Sequence, residues 1–147
     1  SYLDHMKDKY DYILIDCMPS LGMVTINALV AADYVLIPVE AAYLSTKGLQ
    51  QLIKTIGKVR RRLNPSLEIL GILLTKVDRR ANFSKDICDQ IREVYGRNIH
   101  IFENCIPMSI RAAETSAEGR SIYYYDPKGI VAEGYQSLTK EVLRNEK

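Results

Sequence analysis

The chain has 147 residues, a formal net charge of +2, 47% hydrophobic residues and 26% charged residues. This length and composition are ordinary for one soluble globular domain with its own core, and so small a net charge is no argument for nucleic-acid binding. No apolar run approaches the roughly 20 residues that span a bilayer, so we expect no membrane association. Three widely spaced cysteines fit no zinc pattern, which favours reduced thiols in a cytoplasmic protein.

The first predicted strand covers Tyr12–Asp16, an apolar run that ends on a carboxylate. A Pro-Ser-Leu-Gly turn follows at 19–22. Phosphate-handling α/β proteins place a Mg²⁺ ligand or a water-orienting acid in this way, and one carboxylate suffices because Mg²⁺ keeps several waters. The alternative is that Asp16 only caps the loop after it. From Asp16 alone, both interpretations stay open.

Helices and strands then alternate along the chain. Spacing of apolar residues predicts helices over about 24–32, 46–63, 84–95, 109–117 and 126–144, and strands over 34–38, 67–74 and 99–102. Asp126 is the expected N-cap of the last helix, with Pro127 at its first position. We expect the three tyrosines before it, at 123–125, to be extended. The alternation predicts an α/β fold with a mainly parallel sheet.

A phosphate-binding Gly-x-x-x-x-Gly-Lys-Ser/Thr loop does not occur in these 147 residues. The carboxylate of Asp16 therefore stands without the cradle that normally faces it. In a complete nucleotide-binding sheet, the strand before that loop would lie beside Tyr12–Asp16. Its absence would leave unpaired strand edges, which recruit other strands. We therefore expect closure by pairing with 34–38, or self-association with another chain.

Asp16 with the turn at 19–22 resembles the Asp-x-x-Pro-Ser-Leu-Gly segment of the ParA/MinD family of ATPases. Met18 stands where the family commonly has proline. The resemblance continues in order over segments 31–40, 44–49, 71–80, 106–119 and 125–127. It is closest to the plasmid and chromosome partition branch. It implies a three-layer α/β fold of the P-loop NTPase type, incomplete because the P-loop strand is missing, with 1–147 forming one domain from the C-terminal part of such an ATPase.

The same resemblance implies ATP and Mg²⁺ as cofactors of the full-length parent. Asp16 would be the catalytic residue and the Mg²⁺ ligand. Pro19, Ile106 and Pro107 would contact the nucleotide, with the backbone at 106–107 lining the adenine pocket. Without the P-loop lysine, we expect this chain alone to bind ATP weakly and to be catalytically inactive.

The resemblance also implies ATP-dependent dimerisation, non-specific DNA binding and a ParB-like partner protein. Arg80, Lys85 and Arg111 are the candidate DNA contacts. A second basic run, at 58–62, fits DNA binding, but it equally fits favourable charges near a helix C-terminus.

Two other functions stay open. The chain could be a non-enzymatic α/β interaction module from a truncated gene. It could also be a GTPase, since Thr75-Lys76-Val77-Asp78 is similar to the guanine-reading motif of that class. We expect Asp78 mainly to order its own loop.

Overall fold

A computed structural model of the protein describes residues 3–18, 22–42, 45–78 and 80–145. After a short 3-10 helix at Leu3–His5, the described residues form α1 Met23–Ala31, β1 Tyr34–Glu40, α2 Ser45–Arg62, β2 Glu68–Thr75, α3 Asn82–Tyr95, α4 Ile110–Glu118, α5 Ile122–Tyr125 and α6 Ile130–Asn145. The predicted α/β fold is confirmed.

The chain divides into two compact units. The first contains residues 1–35 and 50–68, and the second contains residues 36–49 and 69–147. In the first unit, the side-chain amide of Asn64 donates to the carbonyls of Leu29 and Ala32 at 3.1 and 2.8 Å. Carbonyls at a helix end have no partner within the helix, so Asn64 satisfies the end of α1 from the turn after α2.

The strands β1 and β2 pair in parallel. The amide of Glu68 donates to the carbonyl of Asp33 at one end of the pair, and the amide of Ala41 donates to Thr75 at the other. Both strands therefore run in the same direction. Two isolated parallel bridges follow on the other side of β2, Ile72 with Ile101 and Val77 with Pro107.

The prediction of a strand over 99–102 is wrong, because this segment forms only the single bridge of Ile101 with Ile72. Ile72 donates to His100 and accepts from Phe102, but the ladder stops there. The next two amides, those of Glu103 and Asn104, donate to the carboxylate of Glu141. Alternate amides of a strand face the same neighbour, so the Asn104 amide would be the next donor to β2 after Phe102. Because the Glu141 side chain uses that donor, the ladder does not continue at Asn104.

The predicted strand at Tyr12–Asp16 is also wrong. Residues 12–18 belong to no strand, and their side chains are exposed, Leu14 to 93%. The expected pairing with 34–38 does not form. A strand forms only when a neighbouring strand supplies hydrogen-bond partners. The 147 residues do not contain the P-loop strand expected beside Tyr12–Asp16.

The start of the last helix was predicted three residues too early. Ser121 caps a short helix, α5, by accepting a hydrogen bond from the Tyr123 amide, so the three tyrosines are helical rather than extended. Asp126 ends that helix and is not the N-cap of the next. A turn follows, closed by the Gly129 amide on the Asp126 carbonyl at 3.0 Å, and α6 begins at Ile130.

The core of the second unit is a cluster of buried side chains from β2, the segment after α3, and α6. It comprises Leu73, Phe102, Ile106, Val131 and Leu138. Gly71 allows the close approach of β2 to this segment. A Cβ added at Gly71 would lie 2.8 Å from the Phe102 ring and 3.0 Å from the carbonyl oxygen of His100.

Glu141 is buried, with 3% of its surface exposed, although it lies on a helix among polar neighbours. One carboxylate oxygen accepts from the Glu103 amide at 2.8 Å and lies 3.3 Å from Nε2 of His100. The other accepts from the side chain and the amide of Asn104 at 2.9 and 3.3 Å. Burial raises the pKa of Glu141, but the donated hydrogen bonds outweigh it and the pKa is lowered overall. This carboxylate fixes segment 100–104 on α6.

We expect Gly71→Ala to destabilise the protein by about 1–3 kcal/mol, because the new methyl group must displace the Phe102 ring and a backbone carbonyl. The matched control is Gly57→Ala in α2, where an added Cβ meets nothing within 4 Å. That change should stabilise the protein by up to about 1 kcal/mol, because alanine favours a helix over glycine. Urea unfolding measures both. Equal effects of the two changes would contradict the close approach at Gly71.

We expect Glu141→Gln to lower the free energy of unfolding at neutral pH by about 1–3 kcal/mol, because several buried donors lose a charged acceptor. Glu133→Gln, an exposed change on the same helix, is the control. Since the pKa of Glu141 is lower in the folded state, its contribution is present above the ordinary pKa of 4.5 and disappears as the pH falls through the folded value. As the pH falls below 4.5, the free energies of unfolding of the unmodified chain and of Glu141→Gln should therefore approach each other. A constant difference would argue against ionised Glu141 as the acceptor.

Candidate functional site

Three parallel segments of the second unit end side by side. They are the ends of β1 and β2 and the segment 106–108, and we call them the carboxyl edge. The Ala41 amide donates to Thr75 at 3.1 Å, and the Ile106 amide donates to Leu74 at 2.9 Å. Val77 donates to Ile106 and accepts from Met108. Open α/β sheets bind ligands beyond the carboxyl ends of their strands, so this edge is the candidate site in the second unit.

Two opposite charges meet at this edge. Lys76 follows β2, and its ammonium lies 3.2 Å from the Glu40 carboxylate at the end of β1. About half or more of each side chain is exposed, so the pair itself contributes little stability. Lys76 also has a φ of 51°, the only positive φ of a non-glycine residue in the described part of the chain. Such a conformation is costly for a residue with a Cβ, and it turns the chain sharply at the edge.

Asp78 orders the loop that leaves the edge. Its carboxylate accepts from the Arg80 amide at 2.9 Å, and its own amide donates to the buried Ser84 hydroxyl at 3.1 Å. These contacts join the end of β2 to the first turn of α3. The expectation that Asp78 orders its own loop is confirmed.

The predicted nucleotide contacts fall in three different situations. Ile106 and Pro107 lie at the carboxyl edge, and both are buried. The Ile106 carbonyl already accepts from Val77, so its role at the edge is to join segment 106–108 to β2. Pro19 lies outside the described residues. Asp16 is described, in an exposed segment of the first unit that has no regular secondary structure.

The donor set for Mg²⁺ is sparse. In the described residues, no three His, Cys, Asp or Glu side chains are grouped so that they could hold a metal ion. Mg²⁺ at nucleotide sites is typically held by one or two carboxylates together with phosphates and water. The exposed carboxylate of Asp16 fits one such ligand, but the described residues do not build a metal site on their own.

The three candidate DNA contacts differ in their surroundings. Arg80 and Lys85 are exposed beside the loop that Asp78 orders. Arg111 on α4 instead lies 2.9 Å from the carboxylate of Asp126. A second contact joins the same helices, since the Tyr125 hydroxyl donates to Glu114 at 2.9 Å, and this hydrogen bond raises the pKa of Tyr125. Arg111 thus takes part in tying α4 to α5.

Sequence inspection missed Glu141 and the pair of Glu40 with Lys76. A signal for Glu141 was available, because it follows Leu138 by three residues and precedes Val142, which places an acid on the inward face of α6. The Lys76 pair had no such signal, because it depends on two strands ending side by side.

The described residues also form two grooves along α6. The larger, about 550 Å³, is lined by Asn104, Ser137, Lys140, Leu143 and Arg144. The smaller, about 200 Å³, shares Asn104 and Ser137 with it. None of these residues belongs to the carboxyl edge.

Comparison with known proteins gives a consistent family. A model described as an AAA domain matches residues 1–69. The sporulation initiation inhibitor protein Soj of Bacillus subtilis is 41% identical over 143 residues, which is 97% of this chain and 56% of Soj. The chromosome partitioning protein ParA of Myxococcus xanthus is 42% identical over 138 residues, 94% of this chain and 48% of that protein.

Solved structures agree on the fold. The cobyrinic acid a,c-diamide synthase of Mycobacterium smegmatis, with bound ADP and magnesium, superposes with a TM-score of 0.78 at 29% identity, covering 97% of this chain and 50% of that one. The apo McdA structure from Cyanthece has a TM-score of 0.74 at 22% identity over 92% of this chain and 56% of that one, which supports the fold alone.

These matches and the small parallel sheet define an α/β protein of the P-loop NTPase type. Within that class, the chain belongs to the ParA/MinD family, beside the partition proteins Soj and ParA. The chain spans about half the length of the curated relatives it matches. No helix in the described ranges is both long enough and apolar enough to cross a membrane.

We expect Lys76→Gly to be more stable than Lys76→Ala by about 1–2 kcal/mol, because both remove the charge but only glycine adopts a positive φ without strain. Glu40→Gln removes the negative charge that faces Lys76 and should change stability by less than about 1 kcal/mol. Thermal or urea unfolding of the three variants measures these differences. If the glycine and alanine variants are equally stable, Lys76 does not hold the positive φ in solution.

Proposed function

We propose that the chain is a part of a ParA-type ATPase that partitions chromosomes or plasmids, and that it is catalytically inactive alone. In the complete protein, ATP with Mg²⁺ would drive dimerisation and non-specific DNA binding. The observation that carries this proposal is the identity of 41–42% with Soj and ParA over 94–97% of the chain. The carboxyl edge supports it, because it lies where α/β proteins of this type bind their ligands.

The residues divide the work as follows. Bound ATP and Mg²⁺ would supply the phosphoryl group and the charge that stabilises its transfer. Asp16 would offer one carboxylate to the metal and orient the attacking water. Ile106 and Pro107 would line the adenine pocket with backbone, since proline leaves its carbonyl as an acceptor, and Pro19 would also contact the nucleotide. The phosphate-binding backbone amides and lysine would come from a part of the protein other than these 147 residues.

An amide-forming enzyme is the competing assignment, because the diamide synthase superposes well on this chain. That protein is 29% identical to this chain, against 41–42% for the partition proteins over a similar share of it. The higher identity favours partition. The bound ADP and magnesium of the synthase support nucleotide chemistry at this fold under either assignment.

DNA, a second copy of the protein and a ParB-like protein are the proposed partners. Arg80 and Lys85 are exposed and available for phosphate contacts. Arg111 would need to leave Asp126, or share it, to make such a contact. A further alternative to the ATPase is a non-enzymatic interaction module. The absence of a P-loop from the 147 residues favours that alternative.

We expect this chain alone to show no ATP hydrolysis above background. The same chain extended by its upstream coding sequence should hydrolyse ATP if that sequence encodes a Gly-rich Lys-Ser/Thr loop. In the extended protein, Asp16→Asn should lower kcat about 100-fold or more, because the water and the metal lose their carboxylate. Release of phosphate measures the rate.

Asp11→Asn is the matched control, an exposed acid five residues earlier. It should leave kcat unchanged. Hydrolysis by the chain alone at the rate of the extended protein would overturn the proposed inactivity. An upstream stop codon, with no loop encoded, would favour the interaction module instead. GTP displacing ATP more strongly than ATP displaces itself would favour a GTPase.

A further inference from the structure

Helix α2 has two chemically opposite faces in its part that belongs to the first unit. Ile56 and Val59 are buried, with 1% and 3% of their surface exposed. Four exposed cations lie on the other face: Lys54, Lys58, Arg61 and Arg62. At 3.6 residues per turn, these four fall within an arc of about 100° and extend over about 12 Å of helix. We call them the cationic row.

Acids are absent from this stretch. Residues 50–62 contain no Asp or Glu. Within the described ranges, no carboxylate lies within salt-bridge distance of the cationic row. The contact made by Arg61 is internal to the helix, from its Nε to the Gly57 carbonyl at 3.2 Å. The row therefore presents its positive charge to solvent without compensation.

Favourable interaction with the C-terminal end of α2 explains the positions of only some cations of the row. Cations favour the C-terminal turn because they face the negative end of the helix dipole, and the effect fades within that turn. Arg61 and Arg62 satisfy this condition, as does Arg60 beside them. Lys54 and Lys58 lie one to two turns earlier. Their alignment with Arg61 and Arg62 needs another explanation.

We propose that the cationic row binds the phosphate backbone of duplex DNA. The inference rests on the proposed DNA-binding function for its partner, and it assigns phosphate contacts to residues other than Arg80, Lys85 and Arg111. A row of one sign, without acids, suits a uniformly charged polymer, whereas protein surfaces mix both signs. A membrane surface is disfavoured, because the apolar face of α2 is buried and has nothing to insert among lipids.

The test measures binding of a fluorescent 30-base-pair random duplex to the 147-residue chain over a range of KCl concentrations. The variant is the triple substitution Lys54→Gln, Lys58→Gln and Arg61→Gln. Each lost phosphate contact should reduce the slope of log affinity against log salt by about 0.9, so the triple variant should lose about 2–3 units of slope. Its affinity at low salt should fall about tenfold or more.

The control carries the same change in charge at cations that do not belong to the row: Arg60→Gln, Lys128→Gln and Lys140→Gln, all exposed. Arg60 is the sharpest comparison, because it lies in the same helical turn as Arg61 but outside the arc. The single variant Arg60→Gln should keep the slope of the unmodified chain, and Arg61→Gln should lose about one unit. Circular dichroism of each variant tests that α2 remains helical.

Equal slopes for the row variant and the charge-matched control would overturn the proposal, as would equal effects of Arg60→Gln and Arg61→Gln. Row-dependent binding to vesicles of phosphatidylserine and phosphatidylcholine, without row-dependent DNA binding, would overturn it in favour of a membrane. The assay contains no nucleotide and measures only the electrostatic contacts of the row, so its outcome depends neither on ATP hydrolysis nor on ATP-dependent dimerisation. Absence of salt-dependent binding by the unmodified chain at low salt would also overturn the proposal. A loss of about one unit of slope on Arg80→Gln, with the slope lost by the row variant unchanged in that background, would support independent phosphate contacts by the row.

Discussion

The carboxylate of Glu141 is the contact on which much of the second unit depends. It accepts from two successive amides and a side-chain amide, and it lies next to an imidazole nitrogen, all within segment 100–104. A buried carboxylate is costly unless its oxygens are satisfied, and here both are. The contact ends a would-be strand after one bridge, and it holds that segment on α6. Segment 106–108 follows directly and forms the third part of the carboxyl edge.

At the carboxyl edge, a well-packed part of the sheet carries a residue with a strained backbone, Lys76. Buried apolar side chains and parallel hydrogen bonds hold 74–77 against 106–108. Within this packed part, Lys76 adopts a positive φ and forms an ion pair with Glu40 of the neighbouring strand. Strained residues tend to cluster at functional sites, where the surrounding structure over-determines them. We therefore expect ligand binding in the second unit at the carboxyl edge and not in the grooves along α6.

The cationic side chains that the structure describes fall into two groups: those paired with a carboxylate and those exposed without one. Arg111 is paired with Asp126, and Arg92 has an acid three residues before it. Arg80 and the cationic row of α2 are exposed, and no carboxylate among the described residues lies within salt-bridge distance of them. Net charge, at +2, conceals this difference. Interaction surfaces in such a protein are found from the local pairing of charges, since pairing determines which cations remain available for a partner.

The longer helices, the two strands of the sheet, the α/β class and the ParA/MinD family followed from the sequence, because periodicity and short motifs such as the segment after Asp16 are local properties. Tertiary structure decided the rest. Tyr12–Asp16 has the composition of a strand but forms none, since a ladder needs a neighbouring strand. Glu141 is of a residue type usually found at the surface but is buried, since amides 38 and 37 residues earlier in the chain donate to it. Hydrogen-bond partners distant in the chain decided both cases, and local sequence does not specify them.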